Sequence, residues 1–78
     1  MSLPNLTFLD LSGNRISEIH GFEHLQHLRV LILGCNQIDR IRNLDELSQL
    51  DVLDLHDNRI SRIEGLQSLT NLRVLNLS

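Results

Sequence analysis

The chain has no Lys, no Ala, no Trp and no Tyr, and only one Cys, one Pro and two Phe in 78 residues. A single cysteine, Cys35, rules out an internal disulfide, and no pair of metal-ligand motifs offers another staple. A domain this short buries a modest share of its surface, so it is marginal unless its core is unusually regular. Seven Arg face ten Asp plus Glu, for a net charge of −3. That balance lacks the broad positive field that nonspecific nucleic-acid or anionic-membrane binding needs. Without Tyr or Trp to stack on bases, direct RNA contact is disfavoured too. No apolar run is long enough to span a bilayer, and the N-terminus shows no basic region followed by an apolar core. A lone thiol suits a reducing compartment, so a cytoplasmic protein is expected. Two sequons, Asn5-Leu6-Thr7 and Asn76-Leu77-Ser78, fall within the repeat frame set out next, which argues against their glycosylation.

What the chain does have is Leu and Ile at fixed intervals. Leu3, Leu25, Leu47 and Leu69 are spaced by 22 residues, as are Leu6, Leu28, Leu50 and Leu72. The same step relates Leu9, Leu31, Leu53 and Leu75, then Leu11, Leu33, Leu55 and Leu77. It also relates Asn14, Asn36 and Asn58; Ile16, Ile38 and Ile60; Ile19, Ile41 and Ile63; and Phe22, Leu44 and Leu66. No insertion disturbs the register. A fixed period of this length is the mark of a repeat architecture. The units run 3–24, 25–46 and 47–68, with a partial unit over 69–78.

Within a unit the apolar spacing changes. Ile16, Ile19, Phe22, Leu25, Leu28 and Leu31 recur every third residue, a period that short 3₁₀ turns match and an α-helix does not. Leu31 to Leu33 is then a step of two, the strand period. Each unit is therefore expected to be a short strand, a turn at Asn and a compact return, with successive strands side by side and parallel. Asn14, Asn36 and Asn58 are polar residues in an apolar frame. An amide that donates and accepts at once can satisfy backbone groups stranded at the turn after each strand, so these three are read as a structural ladder.

The pattern LxxLxLxxNxI runs from Leu28 to Ile38 and again from Leu50 to Ile60, and IxxIxxLxxL from Ile60 to Leu69. The chain thereby resembles the 22-residue class of leucine-rich repeats, typified by the nuclear regulatory subunit of protein phosphatase 1. An axonemal dynein light chain and a spliceosomal ribonucleoprotein subunit share this class, and the wording of units two and three is closest to ciliary and cytoskeletal members. The resemblance implies an α/β leucine-rich-repeat solenoid, a curved right-handed horseshoe. It would carry a parallel sheet on its concave face, where partners usually dock, and short 3₁₀ or helical returns on its convex face. Family members close their ends with polar caps, which solenoids need for solubility. None is recognisable here, so the chain is expected to be a segment of a longer protein, and its open ends invite self-association.

Since the frame residues face inward, function is sought in the variable positions. Flanking the strand leucines are the columns Phe8, Val30, Val52, Val74 and Asp10, Ile32, Asp54, Asn76. Before the strand lies Thr7, Arg29, Asp51, Arg73, and after it Ser12, Gly34, His56, Ser78, then Gly13, Cys35, Asp57. An apolar stripe on an exposed sheet is what a protein-binding surface looks like, although β-branched residues also simply favour strands. The expected partner-binding residues are Phe8, Asp10, Arg29, Val30, Ile32, Asp51, Val52, Asp54, His56, Asp57, Arg73 and Val74.

No nucleophile is patterned with Asp54 and His56, so neither catalysis nor a cofactor is expected. A contact between Cys35 and His56 is conceivable, but a structural thiol is the simpler expectation. His24 and His27 lack convergent carboxylates or thiols, so no metal site is assigned. Gly13, Gly21, Gly34 and Gly65 are scattered at turns and form no phosphate loop. The expected function is a non-catalytic protein-binding module, a scaffold or targeting subunit of a cytoskeletal, ciliary or phosphatase-type complex. The alternatives are a targeting domain joined to an enzyme elsewhere in a longer chain, or a ribonucleoprotein subunit.

Overall fold

The computed structural model describes residues 5–78; Leu3, the first frame leucine, lies outside them. Four strands form: β1 (Phe8–Asp10), β2 (Val30–Ile32), β3 (Val52–Asp54) and β4 (Val74–Asn76). They make one parallel sheet in the order β1-β2-β3-β4. The register follows the repeat: Leu9 stands opposite Leu31, Leu31 opposite Leu53, and Leu53 opposite Leu75.

Each strand is three residues long, but its ladder continues past it. The N–H groups of Leu11, Leu33 and Leu55 donate to the carbonyls of Ile32, Asp54 and Asn76 at 2.7–2.8 Å. Two residues on, Gly13, Cys35 and Asp57 donate to Gly34, His56 and Ser78 at 2.8–3.0 Å. These last three donors share a left-handed backbone, with φ of 71°, 57° and 54°. A second left-handed column, Gly21, Asn43 and Gly65, lies in the return. Gly and Asn tolerate this region and most side chains resist it, which accounts for the residues in that second column.

The period-three segment forms tandem turns. Leu25 donates to the Phe22 carbonyl and Leu28 to Leu25, and the same pair of bonds recurs over 44–50 and 66–72 at 2.9–3.1 Å. The bonds close at every third residue and never at consecutive ones, so they do not propagate. The expected 3₁₀ or helical returns are thus single turns joined end to end, and no helix forms among the described residues.

Pleating sends Leu31 and Leu53 into the core, both fully buried, while Val30, Ile32, Val52 and Asp54 face the other side. The core also holds Ile19, Leu28, Leu33, Ile38, Ile41, Leu44, Leu47, Leu50 and Leu55. Burying one such side chain contributes about 1.5–3 kcal/mol. Ile19 and Ile41 are 0% and 1% exposed, whereas Ile63 at the same position of the third unit is 68% exposed. Each unit's Ile is covered by the return of the unit after it, so burial of the core depends on stacking.

Candidate functional site

The parallel register brings Phe8, Val30, Val52 and Val74 into one unbroken column. Phe8 and Val74 are 57% and 50% exposed, while Val30 and Val52 are half-buried between their neighbours. Beside this column run Asp10, Ile32, Asp54 and Asn76, all on the same solvent-facing side. Asn5 and Asn76, the two sequon residues, are both exposed. Asn76 therefore sits on the sheet's outer face and not within the core, because it alternates with the inward-facing Leu75 and Leu77.

The charged residues before the strands are already engaged with one another. Arg73 grips Asp51 with two bonds, Nε to Oδ1 at 2.8 Å and Nη2 to Oδ2 at 2.7 Å. That hydrogen bonding, with added attraction from Arg73 and Arg29, holds the Asp51 carboxyl below its ordinary range despite partial desolvation. Asp51 thus stands between two arginines on the rim of the sheet, above an open depression lined by Arg29, Asp51 and Arg73.

After each strand a side chain turns back on the backbone. Asp10 Oδ1 accepts from the Ser12 N–H at 3.0 Å and from its hydroxyl at 2.7 Å, which lowers the Asp10 pKa. Asn76 and Ser78 repeat the arrangement. In the third unit Asp54 Oδ1 accepts from the His56 N–H at 3.0 Å and lies 2.7 Å from its Nδ1. The hydrogen bond to Asp54, reinforced by the charges of Asp54 and Asp57, raises the His56 pKa above 6.5. The second unit breaks the pattern with Ile32 and Gly34, and the His56 ring occupies the space that Gly34 leaves. A Cβ on Gly34 would stand 2.2 Å from the ring's Cε1.

This placement carries His56 Nε2 to 3.6 Å from Cys35 Sγ, while Asp57 Oδ2 lies 3.8 Å from the same sulfur. The thiol is free and exposed. The cross-unit Cys35–His56 contact that the repeat register allowed is present, and Asp57 joins it in a group of potential metal donors that the sequence did not assign. The clue available in the sequence was Gly34, the one position in its column without a side chain. His24 and His27 are exposed on the return, away from this group.

The Asn column supports the turn beneath these residues. Asn36 Nδ2 donates to the Leu33, Gly34 and Leu11 carbonyls at 2.9–3.1 Å, and its Oδ1 accepts from Ile16 N–H at 3.1 Å. Asn58 makes the equivalent set one unit later. Asn14 is exposed and bonds only within its own unit, to Leu11 and Ser12.

Comparison with known proteins agrees with this architecture. The leucine rich repeat family pattern matches residues 4–60 and 26–78. Among solved structures the chain is similar to internalin C2 of Listeria monocytogenes, with 36% identity and a TM-score of 0.84 over 96% of this chain and 35% of that one. It is also similar to internalin F of the same organism, at 28% identity and a TM-score of 0.70, covering 96% of this chain and 29% of that one. The functional domain of InlJ, described as including a cysteine ladder, shares the fold at 22% identity and a TM-score of 0.53, over 90% of this chain and 20% of that one. No curated protein matches the chain significantly. The chain spans about a third of the length of these two internalin structures. Repeat period, parallel sheet, Asn-supported turns and family pattern coincide, and the chain belongs to the leucine-rich-repeat family.

Proposed function

We propose that this protein is a non-catalytic protein-binding module whose partner docks on the solvent face of the sheet. The observation that carries the reading is the register-aligned column Phe8, Val30, Val52, Val74, apolar and partly exposed along its whole length. Leucine-rich-repeat domains generally mediate protein–protein interaction, and this column supplies the apolar centre such contacts need. Arg29, Asp51 and Arg73 on one side and Asp10, Asp54, His56 and Asp57 on the other supply a mixed-charge rim. Rim charges of this kind tune association rate and specificity more than affinity.

The partner class that best fits the 22-residue wording is a component of a cytoskeletal, ciliary or phosphatase-type complex, for which the module acts as scaffold or targeting subunit in the cytoplasm. The net charge of −3 supports a protein partner over nucleic acid. No helix among the described residues is long and apolar enough to cross a membrane. The test compares partner capture by Val52→Glu, on the sheet face, with Gln67→Glu, on the exposed return. Loss with the first alone supports this reading, and loss with the second alone overturns it.

A further inference from the structure

We propose that Cys35, His56 and Asp57 form a binding site for a divalent transition metal of the zinc type at the ends of β2 and β3. The proposal is independent of the partner-binding reading, because it rests on donor chemistry and not on the apolar column.

The donor set is the first argument. A thiolate, an imidazole and a carboxylate are the three side-chain ligands zinc prefers, and together they bring two negative charges to a dication. Their ligand atoms all lie within 4.8 Å of one another. Zinc bonds of about 2.0–2.3 Å in a tetrahedron put neighbouring donors about 3.3–3.8 Å apart. Sγ to Nε2 is 3.6 Å and Sγ to Asp57 Oδ2 is 3.8 Å, so two of the three edges already have tetrahedral length.

How the histidine is held gives the second argument. Asp54, outside the donor set, sits 2.7 Å from His56 Nδ1. A carboxylate only accepts, so Nδ1 carries a proton, and in the neutral ring Nε2 is left as the free donor atom on the side of the Cys35 thiol. Metal-bound histidines are commonly oriented in this way by a carboxylate on the other nitrogen. Gly34 leaves room for the ring, since a Cβ there would collide with its Nδ1.

The third argument comes from the backbone. Cys35 and Asp57 occupy the same left-handed position in successive units, with φ of 57° and 54°. Their N–H groups are tied to the His56 and Ser78 carbonyls at 2.8 and 2.9 Å. Two donors are thus set side by side by a left-handed backbone that Asp tolerates and Cys rarely adopts. On binding, the thiol proton leaves to solvent and the sulfur lone pair bonds the metal, with no change of oxidation state. Three protein donors leave the fourth position of the tetrahedron to water, since Cys35 and Asp57 are exposed.

The test is titration of the reduced chain with Co2+, read by absorption and followed by displacement with Zn2+. A thiolate-to-cobalt band in the near ultraviolet and visible bands of four-coordinate intensity, saturating at one metal per chain, are expected. Cys35→Ser should abolish the ultraviolet band, and His56→Gln and Asp57→Asn should each weaken binding at least about tenfold. Asp54→Ala, which leaves every donor in place, should weaken it about 10–100-fold by releasing the ring. Circular dichroism of each variant separates lost binding from lost folding. If a variant unfolds, the parent's own stoichiometry and a zinc-dependent rise in its melting temperature still decide the matter. Absence of the ultraviolet band, one metal per two chains, or a band unchanged in His56→Gln and Asp57→Asn would each overturn the site.

Discussion

The side-chain amide of Asn58 reaches the main-chain carbonyl of Leu33, in the preceding unit, at 2.9 Å, while bonding its own Leu55 carbonyl at 3.0 Å. One side chain thereby ties two turns together, and Asn36 does the same for Leu33 and Leu11. Asn36 is buried, so Asn36→Ala would leave the Ile16 N–H without its acceptor and take one donor each from the Leu33, Leu11 and Gly34 carbonyls, which keep Asn58, Asn14 and Gly13. Each unsatisfied group carries a penalty of about 1–3 kcal/mol. Thermal melts should show Asn36→Ala clearly destabilised and Asn14→Ala much less so, since Asn14 is exposed and serves only its own unit. Equal melts for Asn36→Ala and the parent would remove the ladder's structural role.

A second prediction separates backbone strain from collision. Gly21 and Gly65 occupy the same left-handed position, with φ of 86° and 72°. Alanine at either should cost about 1–2 kcal/mol from conformation alone. At Gly21 the new Cβ meets nothing within 4 Å, whereas at Gly65 it would stand 2.4 Å from the Ile41 carbonyl oxygen. Denaturant melts should therefore rank Gly65→Ala well below Gly21→Ala. Matching midpoints would contradict the close approach of the two units.

Much of this was legible in the residues. The 22-residue step predicts both the parallel order and the strand register, because identical units can only stack like on like. The Asn donors follow from the same step. Period three in the return implies short 3₁₀ turns in pieces, and the i→i+3 bonds at every third residue are such turns, joined end to end without a helix. The left-handed column at 13, 35 and 57 was hidden because it contains Gly, Cys and Asp, three residues with no shared side-chain property. Without that backbone conformation the direction of the Cys35 side chain cannot be read. The pairing of Asp51 with Arg73 was visible as opposite charges one repeat apart, but both were expected to serve a partner.

The Asp51–Arg73 pair yields a pH prediction. The folded-state pKa of Asp51 lies below 3.8, so protonation is resisted in the native protein more than in the unfolded one. Any stability from the pair is present above that ordinary value and is lost as pH falls through the lower, folded value. Carboxyl NMR titration should show Asp51 titrating below the usual aspartate range, and Arg73→Ala should move it upward. Both side chains reach solvent, so the effect on melting should be small and should shrink with added salt. A normal titration in the parent would show that the pair does not persist in solution.

The most direct test of the proposed binding face compares two single substitutions in the full-length protein. Val52 lies at the centre of the Phe8–Val74 column, half-buried beside Val30 and Val74, and Gln67 lies exposed on the return. Losing an apolar anchor typically costs an interface more than about 1 kcal/mol, and a buried carboxylate in its place adds a desolvation penalty. With both variants shown to be folded by circular dichroism, Val52→Glu should lose the native partner and Gln67→Glu should retain it at parental affinity. Retention by Val52→Glu together with loss by Gln67→Glu would contradict the account and move the binding surface to the return.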